Sequence, residues 1–271
     1  MIDLSQVSAK LDQYVKPIDY PVALRMLRGF EPEQLRREQP KAKIPHLDLG
    51  KKVLVCQAMA MARKYGWDLI LTKQDIPCGT GLVALGLVRM TKSMLAGEDP
   101  VAPYNQSQEA RARRMRQLPC FAFGEYEALQ VAPLHRARFE PDAVVIYANS
   151  AQVMRLVQGA LFFEGGSLSS NSAGGQGCAQ YITRTIQDNQ CRYVLPGNGD
   201  RIFGLAGDGQ MIFAMPRDKI ESVVQGLELS HQGGQRLPIP CYLNYEAELP
   251  KEYRGLADKL LRASEAGGEE G

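Results

Sequence analysis

The stretch "PDAVVIYANSAQVMRLVQGALFFEGG", residues 141–166, contains the two patterns that indicate the fold class. Its first nine residues include Val144, Val145, Ile146 and Tyr147, and such β-branched and aromatic side chains predict a strand. The residues from Ser150 onward have helical spacing of apolar side chains and end at two glycines, which predicts a helix. A strand followed directly by an amphipathic helix is typical of a chain that mixes α and β elements.

The same order of elements occurs earlier in the chain. There, residues 20–27 predict a strand, residues 51–66 a helix that stops at a glycine, and residues 67–72 a second strand. Cys78 and a predicted helix over 81–95 follow. After the helix at 150–166, the second half continues with the short segment "SLSS", a glycine-rich loop, Cys178 and the helical pattern "AQYITRTIQD". Two further segments correspond, because residues 125–134 and 208–217 each predict a strand closed by proline.

We therefore expect a mixed α/β (α+β) fold of two related halves. Each half would run strand, helix, strand, loop, cysteine, helix, strand, and the halves would pack about a pseudo-twofold axis. Residues 1–140 would form the first half, with an N-terminal helix and basic insertions, and residues 141–228 the second half. Residues 229–271 would form a C-terminal extension whose acidic, glycine-rich end, residues 263–271, is expected to be disordered.

Composition restricts the function classes. The 271 residues contain 32 Lys and Arg and 30 Asp and Glu, a net charge of +2 that does not favour nucleic acid as a partner. Two basic segments, residues 35–43 and 109–117, are predicted to be solvated helix surface, and the alternative is a phosphate-binding patch. We find no apolar run of about 18 residues and no signal-peptide pattern, so we expect a cytoplasmic protein without a membrane partner. The oligomeric state is left open.

Cysteines are the main candidates for chemistry. Cys78 and Cys178 stand one hundred residues apart at equivalent positions, each at the predicted start of a helix, where unpaired amides favour the thiolate that a metal requires. The alternative is that each packs as a small apolar residue. Cys56 alone would be a core residue, and Cys191 precedes a predicted strand from which it could reach a shared site. Cys120 and Cys241, both beside prolines, are predicted to be packing residues.

Glycine-rich segments surround these cysteines. Gly79, Gly81 and Gly177 would let the backbone approach a bulky ligand closely. A second cluster, "LPGNGDRIFG" at residues 195–204, predicts a tight turn that contains Asn198 and Asp200, and Arg201 is either held by Asp200 or clamps a carboxylate or phosphate. Asn198, Gly199 and Arg201 are the candidate ligand-binding residues of this turn. A plain hairpin turn explains the same residues equally well.

Several of these motifs, taken in order, resemble an uncharacterised family called domain of unknown function 169. They are "CGTGLVALGL" from Cys78, "VAPL" at 131–134, "PDAVVIYANSAQVMRLVQGAL", the glycine-rich stretch that ends in Cys178, the Gly199–Arg201 G-x-R turn and "FAMP" at 213–216. The resemblance covers about residues 20–227. It implies that Cys56, Cys78 and Cys178 form a recurring set, and that relatives carry a further cysteine where this chain has Gly197.

The resemblance itself implies no established activity, and from the recurring cysteine set we expect a metal-binding protein. Four thiolates would suit an iron–sulfur cluster, and here Cys191, a non-protein ligand or an open position would complete the three. We expect a redox or accessory protein that works with a redox partner or a larger enzyme complex, with Asn198 and Arg201 orienting a ligand; whether it is itself an enzyme is left open. One alternative is a non-enzymatic module that binds a small anionic or cofactor-like molecule in a glycine-lined cleft between the halves. Another is a thiol-redox sensor in which Cys78 and Cys178 form a reversible disulfide.

Overall fold

Six strands form one β-sheet in the computed structural model, which describes residues 3–29, 31–98, 104–238, 253 and 255–265. The strands are β1 (Val22–Leu27), β2 (Leu69–Thr72), β3 (Ala128–Pro133), β4 (Ala143–Asn149), β5 (Arg192–Val194) and β6 (Gln210–Pro216). Their order across the sheet is β2-β3-β1-β4-β6-β5, and all neighbouring strands are antiparallel. The register pairs Ala23 of β1 with Ala132 of β3 and Val144 of β4.

Helices cover both faces of this sheet. They are α1 (Leu4–Tyr14), α2 (Pro32–Glu38), α3 (Pro45–Asp48), α4 (Val55–Tyr65), α5 (Gly79–Ala84), α6 (Lys92–Ala96), α7 (Gln108–Arg116), α8 (Ser150–Leu161), α9 (Thr185–Asp188), α10 (Asn198–Ile202), α11 (Ile220–Gln232) and α12 (Leu256–Glu265). A π-helical segment, Ala179–Arg184, precedes α9. Every helix in the described part of the chain is too short or too polar to traverse a lipid bilayer.

The alternation of side chains along the strands divides the core into two layers. On what we call the first face, Val22, Val145 and Ile212 pack with α4 and with the π-helical segment. On the second face, Ala23, Val144 and Phe213 pack with α1, α8 and α11. The mixed α/β class expected from the sequence is therefore confirmed.

The predicted pseudo-twofold relation between the halves is not confirmed. The three strands of each half meet at the β1–β4 pair. The strand order is palindromic, because it reads the same from both edges of the sheet when β1, β2 and β3 are matched with β4, β5 and β6. A twofold rotation that exchanges β1 with its antiparallel neighbour β4 leaves each face of the sheet on the same side. Under that rotation α4 and α8 would pack on the same face, but α4 packs on the first face and α8 on the second. Residues 167–170, expected to match β2, form no strand.

Local predictions mostly hold, with one clear break. The helix expected over residues 81–95 is divided, because α5 ends at Ala84 and α6 starts at Lys92. Gly86 between them has φ of +70°, and a Cβ atom there would lie 2.7 Å from the carbonyl oxygen of Ala122. The backbone at this glycine therefore cannot continue as a regular helix.

The C-terminal extension is described only in part. Residues 263–265 end α12, whereas residues 266–271 of the predicted disordered tail lie outside the described residues, as does Cys241.

A carboxyl group beside β1 and β4 makes the stability of this sheet depend on pH. Asp142 accepts a hydrogen bond from the backbone N–H of Met26 at 2.7 Å. Burial raises the pKa of Asp142, and this effect is larger than the lowering by the Met26 N–H and by Arg217. Because the folded pKa lies above the unfolded one, the folded protein retains a proton that unfolding releases, so the free energy of unfolding falls as pH rises through that window.

We expect Asp142→Asn to flatten this dependence. One proton contributes at most about 1.4 kcal/mol per pH unit, and asparagine keeps an oxygen for the Met26 N–H. Urea unfolding between about pH 3.5 and pH 6.5 measures the slope. Asp208→Asn, at a fully exposed side chain, is the matched control and is expected to leave the slope unchanged. Equal slopes in Asp142→Asn and the wild type would contradict this account.

Candidate functional site

Three cysteines from separate parts of the chain line one cavity of about 240 Å³. Cys56 is the second residue of α4, Cys78 immediately precedes α5, and Cys178 immediately precedes the π-helical segment. A backbone hydrogen bond of 2.8 Å from Val53 N–H to the Asp75 carbonyl joins the segments that lead to the first two. The fold thus places Cys56, Cys78 and Cys178 around the same space on the first face of the sheet.

Closely packed glycine backbones form one side of the cavity. A Cβ atom at Gly177 would collide with the carboxyl group of Asp200, and one at Gly197 would lie 3.2 Å from both the Cα of Gly175 and the backbone nitrogen of Gly177. At Gly199 a Cβ atom would meet the Sγ of Cys56 at 3.6 Å, which is an ordinary contact. Side chains at 177 and 197 would therefore displace the backbone that encloses the cavity.

Asp200 is the buried carboxyl group of the site, with only 3% of its surface exposed. Its Oδ1 accepts hydrogen bonds from the hydroxyls of Tyr147 at 3.1 Å and Tyr181 at 3.0 Å. Its Oδ2 accepts the backbone N–H of Gly197 at 3.0 Å. Burial nonetheless raises the pKa of Asp200 above its ordinary value, because desolvation outweighs these bonds. The carboxyl group connects strand β4, the π-helical segment and α10.

Burial also raises the pKa values of two of the three thiols. It raises the pKa of Cys56 to about 12, and the charge of Asp200 is the second cause. The pKa of Cys178 is raised well above its ordinary value by the same two causes in the same order. The prediction that a helix start would favour the thiolate of Cys178 is therefore wrong for this thiol on its own, because loss of water and a facing carboxylate outweigh the helix amides. A bound cation reverses this balance, since a coordinating thiol is deprotonated.

The cavity also contains polar residues that the sequence reasoning missed. The guanidinium of Arg114 lies over the ring of Tyr104, with its Cζ 4.5 Å from the ring centroid, and the side chain of Asn198 donates a 2.8 Å hydrogen bond to the Tyr104 hydroxyl. The Nε of Arg114 is buried and has no hydrogen-bond partner among the described residues. The basic segment at 109–117 was predicted to be solvated surface, but Ala112 and Met115 within it are buried. These two apolar residues could have indicated from the sequence that one side of the helix is buried.

The other predicted site residues divide into two groups. Gly81, Gly177, Asn198 and Gly199 line the cavity, whereas Gly79 and Arg201 do not. Residues 198–202 form the short helix α10 instead of a hairpin turn, and from it the Nη1 of Arg201 reaches the Gly207 carbonyl at 3.1 Å and Asp208 at 3.5 Å.

Cys191 does not join the other three cysteines. It is buried on the second face with residues of α8 and α11, on the far side of the sheet from the cavity. The strand that follows it is β5, as predicted, but the side chain of Cys191 belongs to the opposite core layer. In the described part of the chain, no group of three or more His, Cys, Asp and Glu side chains is arranged to hold a metal ion. Cys56, Cys78 and Cys178 share the lining of one cavity, and Cys191 is not part of it.

Comparisons with known proteins agree on one family. The model of a family called DUF169, described as uncharacterised ArCR, matches residues 10–226, a range that contains the whole cavity. The chain is 27% identical over 175 residues to an uncharacterised protein, MJ0308, of Methanocaldococcus jannaschii, an alignment that covers 64% of this chain and 75% of that protein. No solved structure matches the chain.

Proposed function

Because the chain belongs to the uncharacterised DUF169 family, its activity must be argued from the site, and we propose that the cavity binds an iron–sulfur cluster through Cys56, Cys78 and Cys178. The observation that carries this proposal is that three thiols from three separate segments line one cavity. The two other described cysteines lie elsewhere: Cys191 on the second face, and Cys120 beside a small apolar cluster around Met115 and Leu118. Thiolates are the ligands that iron–sulfur clusters use.

The size of the cavity that the three thiols line supports a cluster more than a single ion. A Zn–S bond is about 2.3 Å, so thiolates on one zinc ion must lie within about 4 Å of one another. The ligands of a cluster bind different irons and therefore stand further apart around a larger body. The cavity of about 240 Å³ between the thiols suits that arrangement. Ligation requires each thiol to turn toward the centre and lose its proton.

Within the described ranges of the chain, no side chain fills the fourth ligand position. Gly197 stands where the resemblance implies a cysteine, and the backbone of Gly175 and Gly177 occupies the space that a side chain would need. We infer that this position is open or is filled by a small ligand that does not come from the chain. Arg114 and Asn198, which both line the cavity, would bind and orient an anionic ligand there.

The residues of this site would have distinct roles. When bound, a cluster of this kind gains and loses single electrons. The cation of Arg114 would offset part of the negative charge of the thiolates, and Thr80, whose hydroxyl is 3.4 Å from the Sγ of Cys78, would donate a hydrogen bond to that sulfur. Asp200 would hold α10 against the π-helical segment. The partner that follows from this proposal is an electron donor or acceptor protein, or a larger enzyme complex that contains one.

A second candidate uses the same cavity without a metal. The positive charge of Arg114 on the cavity wall, beside Asn198, favours a non-enzymatic module that binds a small anion between the glycine segments. The thiol-sensor alternative has less support, because disulfide exchange requires a thiolate and burial raises the pKa of the Cys178 thiol.

The palindromic strand order supports, as part of the same proposal, a common origin of the halves 1–140 and 141–228.

Visible absorption and electron paramagnetic resonance of protein purified without oxygen test the leading proposal. We expect a broad visible band that bleaches on reduction, and a paramagnetic signal in one of the two redox states. A folded protein that stays colourless after anaerobic reconstitution with iron and sulfide would contradict it. A rise in melting temperature with small carboxylates in such a protein would then support the anion-binding module.

A further inference from the structure

A second cavity, of about 340 Å³, carries an unexplained concentration of positive charge. It shares no lining residue with the cysteine cavity. Its wall comes from the loop before α3, from the residues between α4 and β2, and from the end of β3 with the turn that follows. Four cationic side chains line it: Lys41, Lys43, Arg136 and Arg138. The whole chain has a net charge of only +2, so this is a strong local excess.

None of these four cations forms an ion pair with a residue that the structure describes. Asp68 is the one carboxyl group among the described residues of the wall, and it is engaged elsewhere. Its Oδ1 accepts a hydrogen bond from the side chain of Gln130 at 3.0 Å, and the cation that acts on it is Arg25, which is outside this wall. Among the described residues, no carboxylate therefore pairs with any of the four cations that line this cavity.

The backbone holds Lys43 in place and leaves room for the side chain of Arg136. Lys43 N–H donates to the Asp68 carbonyl at 2.9 Å, and the Lys43 carbonyl accepts from Ile70 N–H at 2.9 Å, as in a short parallel bridge to β2. Gly66 ends α4 with φ of +73°, and a Cβ atom there would lie 3.0 Å from the Nη1 of Arg136. The missing side chain at Gly66 thus makes room for the guanidinium group.

The cavity also has an aromatic wall. Trp67 lines it and is partly exposed, and the Nζ of Lys43 lies 4.5 Å from the centroid of the indole ring. An indole offers a flat surface on which planar rings stack, and nucleobases do so without much preference among bases. The Lys43 ammonium lies over this indole face, so a planar ring that stacks on Trp67 would take its place, and the displaced ammonium would remain close enough to pair with a negative charge on the same ligand.

From these observations we propose that this cavity binds a nucleotide. Lys41, Arg136 and Arg138 would hold the phosphate groups, and Lys43 would lie between the phosphates and the base on Trp67. Lysine and arginine form charge-assisted hydrogen bonds with phosphate, and the volume of about 340 Å³ falls within the range of small-molecule sites. This inference goes beyond the proposed cluster, because the two cavities have no residue in common.

The chain contains its own probe for this test, since Trp67 is its single tryptophan. Tryptophan fluorescence is titrated with ATP, ADP, adenosine and pyrophosphate, with correction for absorbance by the base. We expect saturable quenching by ATP and ADP, weaker binding of pyrophosphate, and no response to adenosine at the same concentrations. The double variant Lys41→Ala and Arg138→Ala is expected to weaken ATP binding by at least about tenfold, as the loss of charge-assisted hydrogen bonds implies.

A matched control removes the same charge elsewhere. Lys92→Ala with Arg113→Ala, on the exposed surfaces of α6 and α7, is expected to leave the ATP affinity within about twofold of the wild type. Cys78→Ser is also expected to bind ATP with wild-type affinity. ATP binding by this variant therefore tests the nucleotide proposal independently of the cluster proposal.

Four results would overturn the nucleotide assignment. They are the absence of saturable quenching at millimolar ATP, equal weakening in the two double variants, pyrophosphate binding as tight as that of ADP, and tight binding of a single-stranded RNA oligomer without a response to ATP. The third result would indicate a simple anion site, and the fourth a nucleic-acid surface.

Discussion

Serine in place of Cys56, Cys78 or Cys178 is expected to abolish the visible absorption of the anaerobically reconstituted protein. Each of these thiols lines the cavity, and the described residues offer no spare ligand to a cluster with three protein thiolates: Gly197 has no side chain, and Cys191 lies on the other face of the sheet. The loss is expected to be complete, or nearly so, in all three variants. Absorption spectra at equal protein concentration, with circular dichroism to verify folding, measure it.

Two other cysteines supply the control. Cys120→Ser changes a half-buried thiol beside the Met115 and Leu118 cluster, and Cys191→Ser changes a buried thiol on the second face. Both variants are expected to keep the chromophore at wild-type intensity. Retention of colour in folded Cys78→Ser or Cys178→Ser, or its loss in Cys191→Ser, would show that the ligand set is different.

Removal of the Asp200 carboxyl group is expected to destabilise the protein strongly. Asp200→Ala leaves the hydroxyls of Tyr147 and Tyr181 and the N–H of Gly197 without their acceptor in a buried environment. A buried polar group without a partner costs about 1–3 kcal/mol, and removal of the desolvated carboxylate returns part of that cost. We expect the free energy of unfolding to fall by about 3 kcal/mol.

A conservative variant separates the hydrogen bonds from the charge. Asp200→Asn keeps one oxygen for the two tyrosines but places an NH₂ group toward the Gly197 N–H, so we expect a loss of about 1–2 kcal/mol. Denaturant unfolding of metal-free protein measures both variants, and Asp208→Ala, at an exposed position nearby in sequence, is the control for the loss of an acidic side chain. If Asp200→Ala were as stable as Asp208→Ala, the buried network would not hold the site together.

Much of the fold could be predicted because its local patterns are strong. Residues 141–166 contain β4 and α8 as expected, and the glycine at 66 ends α4 in a left-handed conformation, as its position predicted. The division of the helix after Gly81 could not be predicted, because it depends on a carbonyl oxygen of Ala122 that approaches Gly86 from a distant part of the chain. The face of the sheet on which a helix packs also depends on tertiary contacts. The sequence therefore could not show that α4 and α8 pack on opposite faces, as the expected symmetry does not allow.

The site was predictable to the extent that its residues carry distinctive chemistry. Cys78 and Cys178 stood out by their matched positions, and the resemblance added Cys56. Arg114 was missed because a basic segment is usually solvated, and the contact with Tyr104 that covers it arises only in the folded chain. Arg201 was chosen for its place in a glycine-rich segment, but α10 directs its side chain toward Asp208. Asp200, next to it, is the residue that the fold buries.

The content of iron and acid-labile sulfide per chain, in protein purified without oxygen, tests the central claim most directly. The cluster account predicts about four irons with matching sulfide in the wild type. It also predicts background values in Cys56→Ser, Cys78→Ser and Cys178→Ser. A folded wild-type chain that holds neither iron nor sulfide, even after anaerobic reconstitution, would contradict the account.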